Sequence, residues 1–242
     1  MSTIAPVPGE LLTWTYGGVG VRYREELDGA GTRIGHAFVA CVAERASKPV
    51  YDNAFEWCAG PGFIGFALLA QGLCRQLTLC DVNPAAIACV RETVRANGLA
   101  ERVSFAAGRD LEPLDPGARF DLVVANPPNF FALNPRHPSY ARLKDDLRPN
   151  DPDWRVHRTF YAGIRPFLTG DARLFISEVN PADATVFIPP DAPEPYDVRP
   201  RPAAADFATM IAAGGLELLE TAEYFTGRDG ARLAMMISRP LG

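Results

Sequence analysis

The sequence predicts an α/β fold: a single, doubly wound, mostly parallel seven-stranded sheet, entered through an N-terminal β-hairpin and helix. Three observations predict it. Residues 51–125 alternate short apolar strands with apolar-periodic helices, the sign of a parallel sheet flanked by helices. Three of those strands run into an acid, at Glu56, Asp81 and Asp110. The chain then closes on two alternating runs around Thr226-Gly227-Arg228-Asp229-Gly230, a hairpin signature. We place an extension over residues 1–48, covering the active site, and the main domain over 49–242. With 242 residues and 48% apolar content, a full core can be buried.

Taken in order, residues 1–9 hold Pro6, Pro8 and Gly9 and are expected to fray. Leu11–Tyr16 and Val19–Tyr23 alternate about Gly17-Gly18, predicting the hairpin. Asp28–Thr32 reads as a loop and Gly35–Ala46 as a helix. An apolar strand from Tyr51 ends at Glu56-Trp57, and a helix runs from Phe63 to Leu73. A second strand, Leu77–Asp81, is followed by a helix over Pro84–Ala96. Pro84 sits in the first turn, where its missing N–H costs nothing, and Asn97-Gly98 caps the far end. Val103–Ala106 is the third strand and Phe120–Ala125 the fourth. Residues 134–153 form a long proline-rich stretch, read as a lid or substrate wall. A helix over Trp154–Leu168 and a strand over Ala172–Val179 follow, then a second proline-rich insertion over Asn180–Pro202. Ala203–Ala213 is helical, Gly214-Gly215 ends it, and Leu216–Phe225 with Ala231–Ser238 form the final hairpin.

The stretch Phe55-Glu56-Trp57-Cys58-Ala59-Gly60-Pro61-Gly62-Phe63-Ile64-Gly65 carries the first chemistry. Gly60 and Gly62 let the backbone turn tightly and approach a ligand. The helix that follows presents unpaired N–H groups and a positive dipole end. A small-molecule pocket is therefore expected at the carboxyl end of a parallel strand. Asp81, 25 residues beyond Glu56, is placed to hydrogen-bond a ribose diol. The fourth strand ends in Asn126-Pro127-Pro128-Asn129.

These four motifs, in this order, resemble the class I S-adenosylmethionine-dependent methyltransferases with a Rossmann-like sheet. Within them the chain is similar to the branch with an Asn-Pro-Pro-aromatic motif, which includes the release-factor glutamine, adenine-N6 and some RNA guanine-N2 enzymes. The resemblance covers residues 50–178 most fully. It implies S-adenosylmethionine as cofactor, held by Glu56, Cys58, Ala59, Gly60, Gly62, Phe63, Asp81, Val82, Asp110, Leu111 and Asn126. In that pattern Glu56 anchors the methionine amino group, Asp81 the ribose hydroxyls, and Asp110 the adenine amino group with Leu111 beside it. A reversed last strand is implied as well.

Asn126, Pro127 and Asn129 are the candidate catalytic residues. A planar nitrogen keeps its lone pair in conjugation until something polarises it toward sp³. The Asn126 side-chain carbonyl and the Pro127 backbone carbonyl can both accept its N–H bonds, and proline cannot donate in return. The acceptor is thus expected to be an amine or amide nitrogen. Where the family has an aromatic ring this chain has Asn129, followed by Phe130 and Phe131, which turns the reading toward a small polar substrate. Tyr16, Trp154, His157 and Tyr161 are further candidates for lining the acceptor site; core packing competes for each, and a lone helical histidine is more often structural than a base.

The net charge of −5 counts against a nucleic-acid backbone as partner. No run of 18 apolar residues and no basic-then-apolar leader occur, so no membrane role and a cytoplasmic location are expected. Cys41, Cys58, Cys74, Cys80 and Cys89 show no metal-ligand spacing and read as buried thiols, with Cys58 lining the cofactor loop where the family has glycine. The expected activity is N-methylation of a small polar molecule. Two alternatives remain open in the sequence: cyclisation of the nucleoside's own amino acid to azetidine-2-carboxylate with release of methylthioadenosine, and protein glutamine N-methylation. A non-enzymatic subunit that retains the cofactor site is a third.

Overall fold

The computed structural model describes residues 9–29, 31–128, 151, 154–179, 204–226 and 232–242. The expected lid over 134–153, the insertion over 180–202, the turn at 227–230 and Asn129 with its two phenylalanines lie outside the described residues, save Asp151. The chain forms two compact units, Met1–Leu114 and Asp115–Gly242. The strands of the large sheet follow one another in the order β5-β4-β3-β6-β7-β9-β8, mostly parallel, as predicted.

The first unit opens with β1 (Leu12–Tyr16) and β2 (Val19–Tyr23), paired antiparallel about Gly17-Gly18. A two-stranded ribbon is barely stable alone. This one is docked on α3 (Pro84–Asn97) by side chains that imitate a third strand. The Asn97 amide accepts the Gly20 N–H and donates to the Gly20 carbonyl, both at 3.0 Å, and Thr93 Oγ1 accepts the Arg22 N–H at 2.8 Å. Tyr16 is buried, whereas Trp14 is exposed, so the two aromatic residues of β1 part company.

Helix α1 (Gly31–Arg45) starts four residues before the predicted Gly35. Asp28 is the reason: its carboxylate accepts the Thr32 N–H at 3.0 Å and the Thr32 hydroxyl at 3.1 Å, capping a turn that composition alone reads as loop. Strand β3 (Tyr51–Trp57) pairs in parallel with β4 (Cys74–Asp81), and β4 with β5 (Val103–Ala107). Between β3 and β4, α2 (Phe63–Ala70) is apolar on every face and buried along almost its whole length, as a helix between packed neighbours must be. It ends three residues before the predicted Leu73, because Gln71 folds back onto the Ala67 and Leu69 carbonyls and Gly72 turns left-handed. Helix α3 keeps its predicted start and cap: Asn83 Oδ1 accepts the Ala85 N–H at 2.9 Å, and Gly98 closes the far end at φ +64°.

The second unit holds β6 (Phe120–Ala125), buried throughout. It pairs in parallel with β7 (Leu168–Val179), with Ala125 opposite Ile176. Helix α4 (Arg155–Gly163) is shorter than the predicted 154–168, since Pro166 forces a separate short turn over 165–167 and β7 begins at once. Helix α5 (Ala204–Ala213) leads through Gly214-Gly215 to β8 (Leu216–Thr226). Strand β9 (Arg232–Pro240) lies between β8 and β7, antiparallel to both, the reversed last strand the resemblance implied.

Candidate active site

The first unit gathers most of the expected cofactor residues at the carboxyl ends of adjacent parallel strands. Strand β3 ends at Trp57, and Cys58-Ala59-Gly60-Pro61-Gly62 turns the chain into α2. The turn is pinned to the neighbouring strand, with the Ala59 N–H donating to the Cys80 carbonyl at 3.0 Å and the Gly60 N–H donating to Asp81 Oδ2 at 2.7 Å. The other Asp81 oxygen accepts the Asn83 N–H at 2.8 Å. Asp81 therefore fixes two turns at once, yet remains part-exposed with lone pairs to spare.

Two glycines do different work here. Gly62 has φ +85°, and a Cβ on it would meet the Phe66 ring at 2.8 Å, so only glycine lets the helix start this close to the strand. Gly60 has φ +53°, but a Cβ there would meet nothing within 4 Å, which leaves an open flank over the turn. Cys58 holds φ 52°, a left-handed value that accounts for the glycine the family prefers there. Its thiol is half-buried, while the other four cysteines are buried.

Glu56 is 2% exposed and faces α2 from beneath. Its Oε2 accepts the Gly65 N–H at 2.7 Å, and a side chain on Gly65 would strike that oxygen at 2.6 Å. Burial pushes the carboxyl up to about 8; the Gly65 and Ile64 N–H groups pull it back, and the Asp81 charge adds to the rise. Asp81 is also raised by burial, against the pull of the Asn83 and Gly60 N–H groups. Among the described residues no cation contributes to either shift. Val82, next to Asp81, is exposed at 41%, an apolar side chain left open at the same strand end. Asp110, at φ 48°, and Leu111 lie half-buried in the turn beyond β5, which is tied back by the Gly108 N–H to the Asp81 carbonyl at 3.0 Å.

Residues 20–135 match the family model of the methyltransferase small domain. That stretch, a little under half of the chain, is what is similar to the family. A release factor glutamine methyltransferase from Clostridium acetobutylicum is 29% identical over 115 residues, 47% of this chain and 39% of that protein. A tRNA1(Val) (adenine(37)-N6)-methyltransferase from Porphyromonas gingivalis is 28% identical over 109 residues, 42% of this chain and 43% of the relative. The matches thus span less than half of those relatives. Among solved structures, an S-adenosylmethionine-dependent methyltransferase from Clostridium acetobutylicum superposes at TM-score 0.57 with 12% identity, covering 86% of this chain and 92% of that one. The 1,6-didemethyltoxoflavin-N1-methyltransferase of Burkholderia thailandensis, solved with its substrate and S-adenosylhomocysteine, gives 0.53 with 20% identity, covering 89% and 80%. The Rossmann-like fold of S-adenosylmethionine-dependent methyltransferases is thereby the fold of this chain.

The Asn126-Pro127-Pro128 turn follows β6 directly, with Asn126 and Pro128 half-buried and Pro127 buried. Of the softer candidates, Tyr16, Trp154, His157 and Tyr161 are all buried. The Tyr16 hydroxyl donates to the Gly31 carbonyl at 3.0 Å. His157 is not the lone histidine its sequence setting suggests. Its Nδ1 lies 2.6 Å from Asp151 Oδ2 and its Nε2 lies 2.9 Å from Glu178 Oε1. Asp151 and Glu178 escaped the sequence reading, although Glu178 obeys the same acid-at-strand-end pattern as Glu56 and Asp81. Among the described residues no helix is long and apolar enough to cross a membrane.

Proposed function

We propose that this protein transfers a methyl group from S-adenosylmethionine to an amine or amide nitrogen of a small polar molecule. The observation that carries the reading is the pair of acids raised by burial, Glu56 and Asp81, at neighbouring strand ends beside a glycine turn with an open flank. When bound, S-adenosylmethionine supplies a methyl group on a sulfonium, a leaving group that needs alignment more than activation.

The residues fit that cofactor. Glu56 offers a buried carboxyl to an ammonium, and Asp81 offers its remaining lone pairs to a ribose diol. Val82 and Leu111 provide apolar surface for a base, with Asp110 to accept from its amino group. Cys58, Ala59, Gly60, Gly62 and Phe63 shape the turn. On the acceptor side, Asn126 and Pro127 accept the N–H bonds of the incoming nitrogen and build electron density on it, and Asn129 holds a polar substituent. Residues 1–48 would shield the cofactor from water, and 49–242 would carry the catalytic domain.

The acceptor class rests on the acidic net charge and on Asn129. The proteins named above are methyltransferases of a release factor, a tRNA and 1,6-didemethyltoxoflavin. Similarity therefore does not by itself set nucleic acid aside, and glutamine N-methylation is the second reading, supported by the release-factor relative. Mass spectrometry of the protein incubated with S-adenosylmethionine, alone and then with cell extract, separates the outcomes. S-adenosylhomocysteine formed only with extract is expected. Methylthioadenosine formed without extract would replace methyl transfer by ring closure. Asn126→Ala is expected to lower turnover by roughly 100-fold or more with little loss of cofactor affinity, and Asp81→Ala to do the reverse.

A further inference from the structure

The second unit contains a buried charge cluster that the proposed reaction leaves unused. His157 is fully buried on α4, and both ring nitrogens face carboxylate oxygens, Asp151 at 2.6 Å and Glu178 at 2.9 Å. Asp151 is itself anchored to the helix start: Oδ1 accepts the Val156 N–H at 2.8 Å and Oδ2 the His157 N–H at 3.1 Å. A carboxylate only accepts, so each acid accepts from the ring when the imidazole carries a proton on each nitrogen. Burial alone would drive the imidazole toward neutrality, but Glu178 and Asp151 outweigh it and raise it to about 9. Among the described residues Tyr161 on the same helix also faces the cluster, held protonated by burial and by the Glu178 charge. From α5 the uncharged Phe207 ring packs on the imidazole, at 5.5 Å, and Trp154 meets it edge-on at 5.0 Å.

The position of the cluster matters as much as its charge. On the parallel pair β6 and β7, Val124 lies opposite Phe175 and Ala125 opposite Ile176. Continuing that register sets Glu178 level with Pro127, in the turn that ends β6. The chain leaves the described strand at Asn126-Pro127-Pro128 and re-enters at Asp151 and α4, so the cluster joins the end of that connection to the strand tip beside its beginning. Without the imidazolium, two buried carboxylates would repel each other across this junction.

We propose that Asp151, His157 and Glu178 form a charged clip that sets the position of the Asn126-Pro127-Pro128 turn, making His157 a positioning residue for the acceptor nitrogen. The clip's catalytic meaning rests on the methyl-transfer reading; its existence does not. In labelled full-length protein without ligand, NMR is expected to show both His157 ring nitrogens protonated at pH 7. The Asn126 Cγ resonance is expected to shift through the same midpoint at which His157 loses its proton, well above the ordinary imidazole value. Glu178→Gln should bring that midpoint down and displace the Asn126 signal at pH 7. A neutral imidazole at pH 7, or an Asn126 signal that stays flat while His157 titrates, would overturn the clip and leave the cluster as core packing. His157→Gln gives the same test if it folds, and the wild-type titration decides if it does not. Calorimetry with S-adenosylhomocysteine keeps the two ideas apart: absence of heat with the wild type removes the methyl-transfer reading, while the Asn126 titration still judges the clip.

Discussion

Glu56 and Glu178 are both buried acids near the ends of parallel strands, one in each unit, and they solve the problem of a buried charge in opposite ways. Among the described residues Glu56 accepts from backbone N–H groups and feels the Asp81 charge, and burial holds it protonated up to about 8. Glu178 has His157, which brings a positive charge of its own. An acid without a cation is poised to receive one; an acid already paired with a cation is part of the framework. Location at a strand end alone does not tell these apart, but the partner does.

The sharpest way to break this contrast is to remove the internal cation. His157→Ala is expected to cost about 3–5 kcal/mol in chemical denaturation, because two buried carboxylates lose their counter-charge. Asp151→Asn together with Glu178→Gln should recover part of that loss on the same background. The pH dependence of the wild type probes the same group more gently. With the imidazole raised to about 9 from an ordinary 6.5, its contribution is whole below pH 6.5 and disappears as pH climbs through 9. A decline on the order of 3 kcal/mol over that window is expected by urea titration, and its absence in His157→Gln would assign it to this residue.

Backbone fit at the cofactor turn comes next in size. Gly62→Ala meets both an unfavourable φ and the Phe66 ring, and is expected to cost about 1–3 kcal/mol. Gly60→Ala meets only the φ, at about 1 kcal/mol, so thermal melts should rank the two clearly while calorimetry shows the Gly60 variant losing affinity for S-adenosylhomocysteine. The smallest effect sharpens the other side of the comparison. Protonated Glu56 favours the fold fully below about 4.5, and that contribution is lost as pH rises through 8. An ammonium arriving at the carboxyl reverses the preference, so binding near pH 7 should release a proton. Heats measured in buffers of different ionisation enthalpy should differ for the wild type and coincide for Glu56→Gln.

Much of this was legible in the residues. The order of strands and helices, the glycine turn after Trp57 and the turn after Ala125 all stand where local pattern puts them, because strand alternation, helix periodicity and glycine punctuation are local properties. What escaped was set by side chains reaching back to distant backbone. Asp28 moves one helix start away from the predicted residue and Asp151 anchors another, and neither acid announces its role in composition. His157 read as a structural histidine because its partners lie six residues before it and 21 after. Asn97 read as a cap, and its grip on the ribbon spans 77 residues of chain. The strand-end acid pattern, applied to Ser177-Glu178 as it was to Glu56 and Asp81, would have found one of the missing pair.

The grip of Asn97 on Gly20 also gives the molecule a chemical clock. An asparagine followed by glycine readily loses its side-chain amide, but here the amide is held by Gly20 on one side and by the Thr93 carbonyl at 2.7 Å on the other. Both contacts restrain the amide in the folded chain, and the aspartate that deamidation would leave has no N–H to return to the Gly20 carbonyl. Deamidation leaves a small permanent gain in mass, so mass spectrometry of aged protein reads how well the docked ribbon shields Asn97.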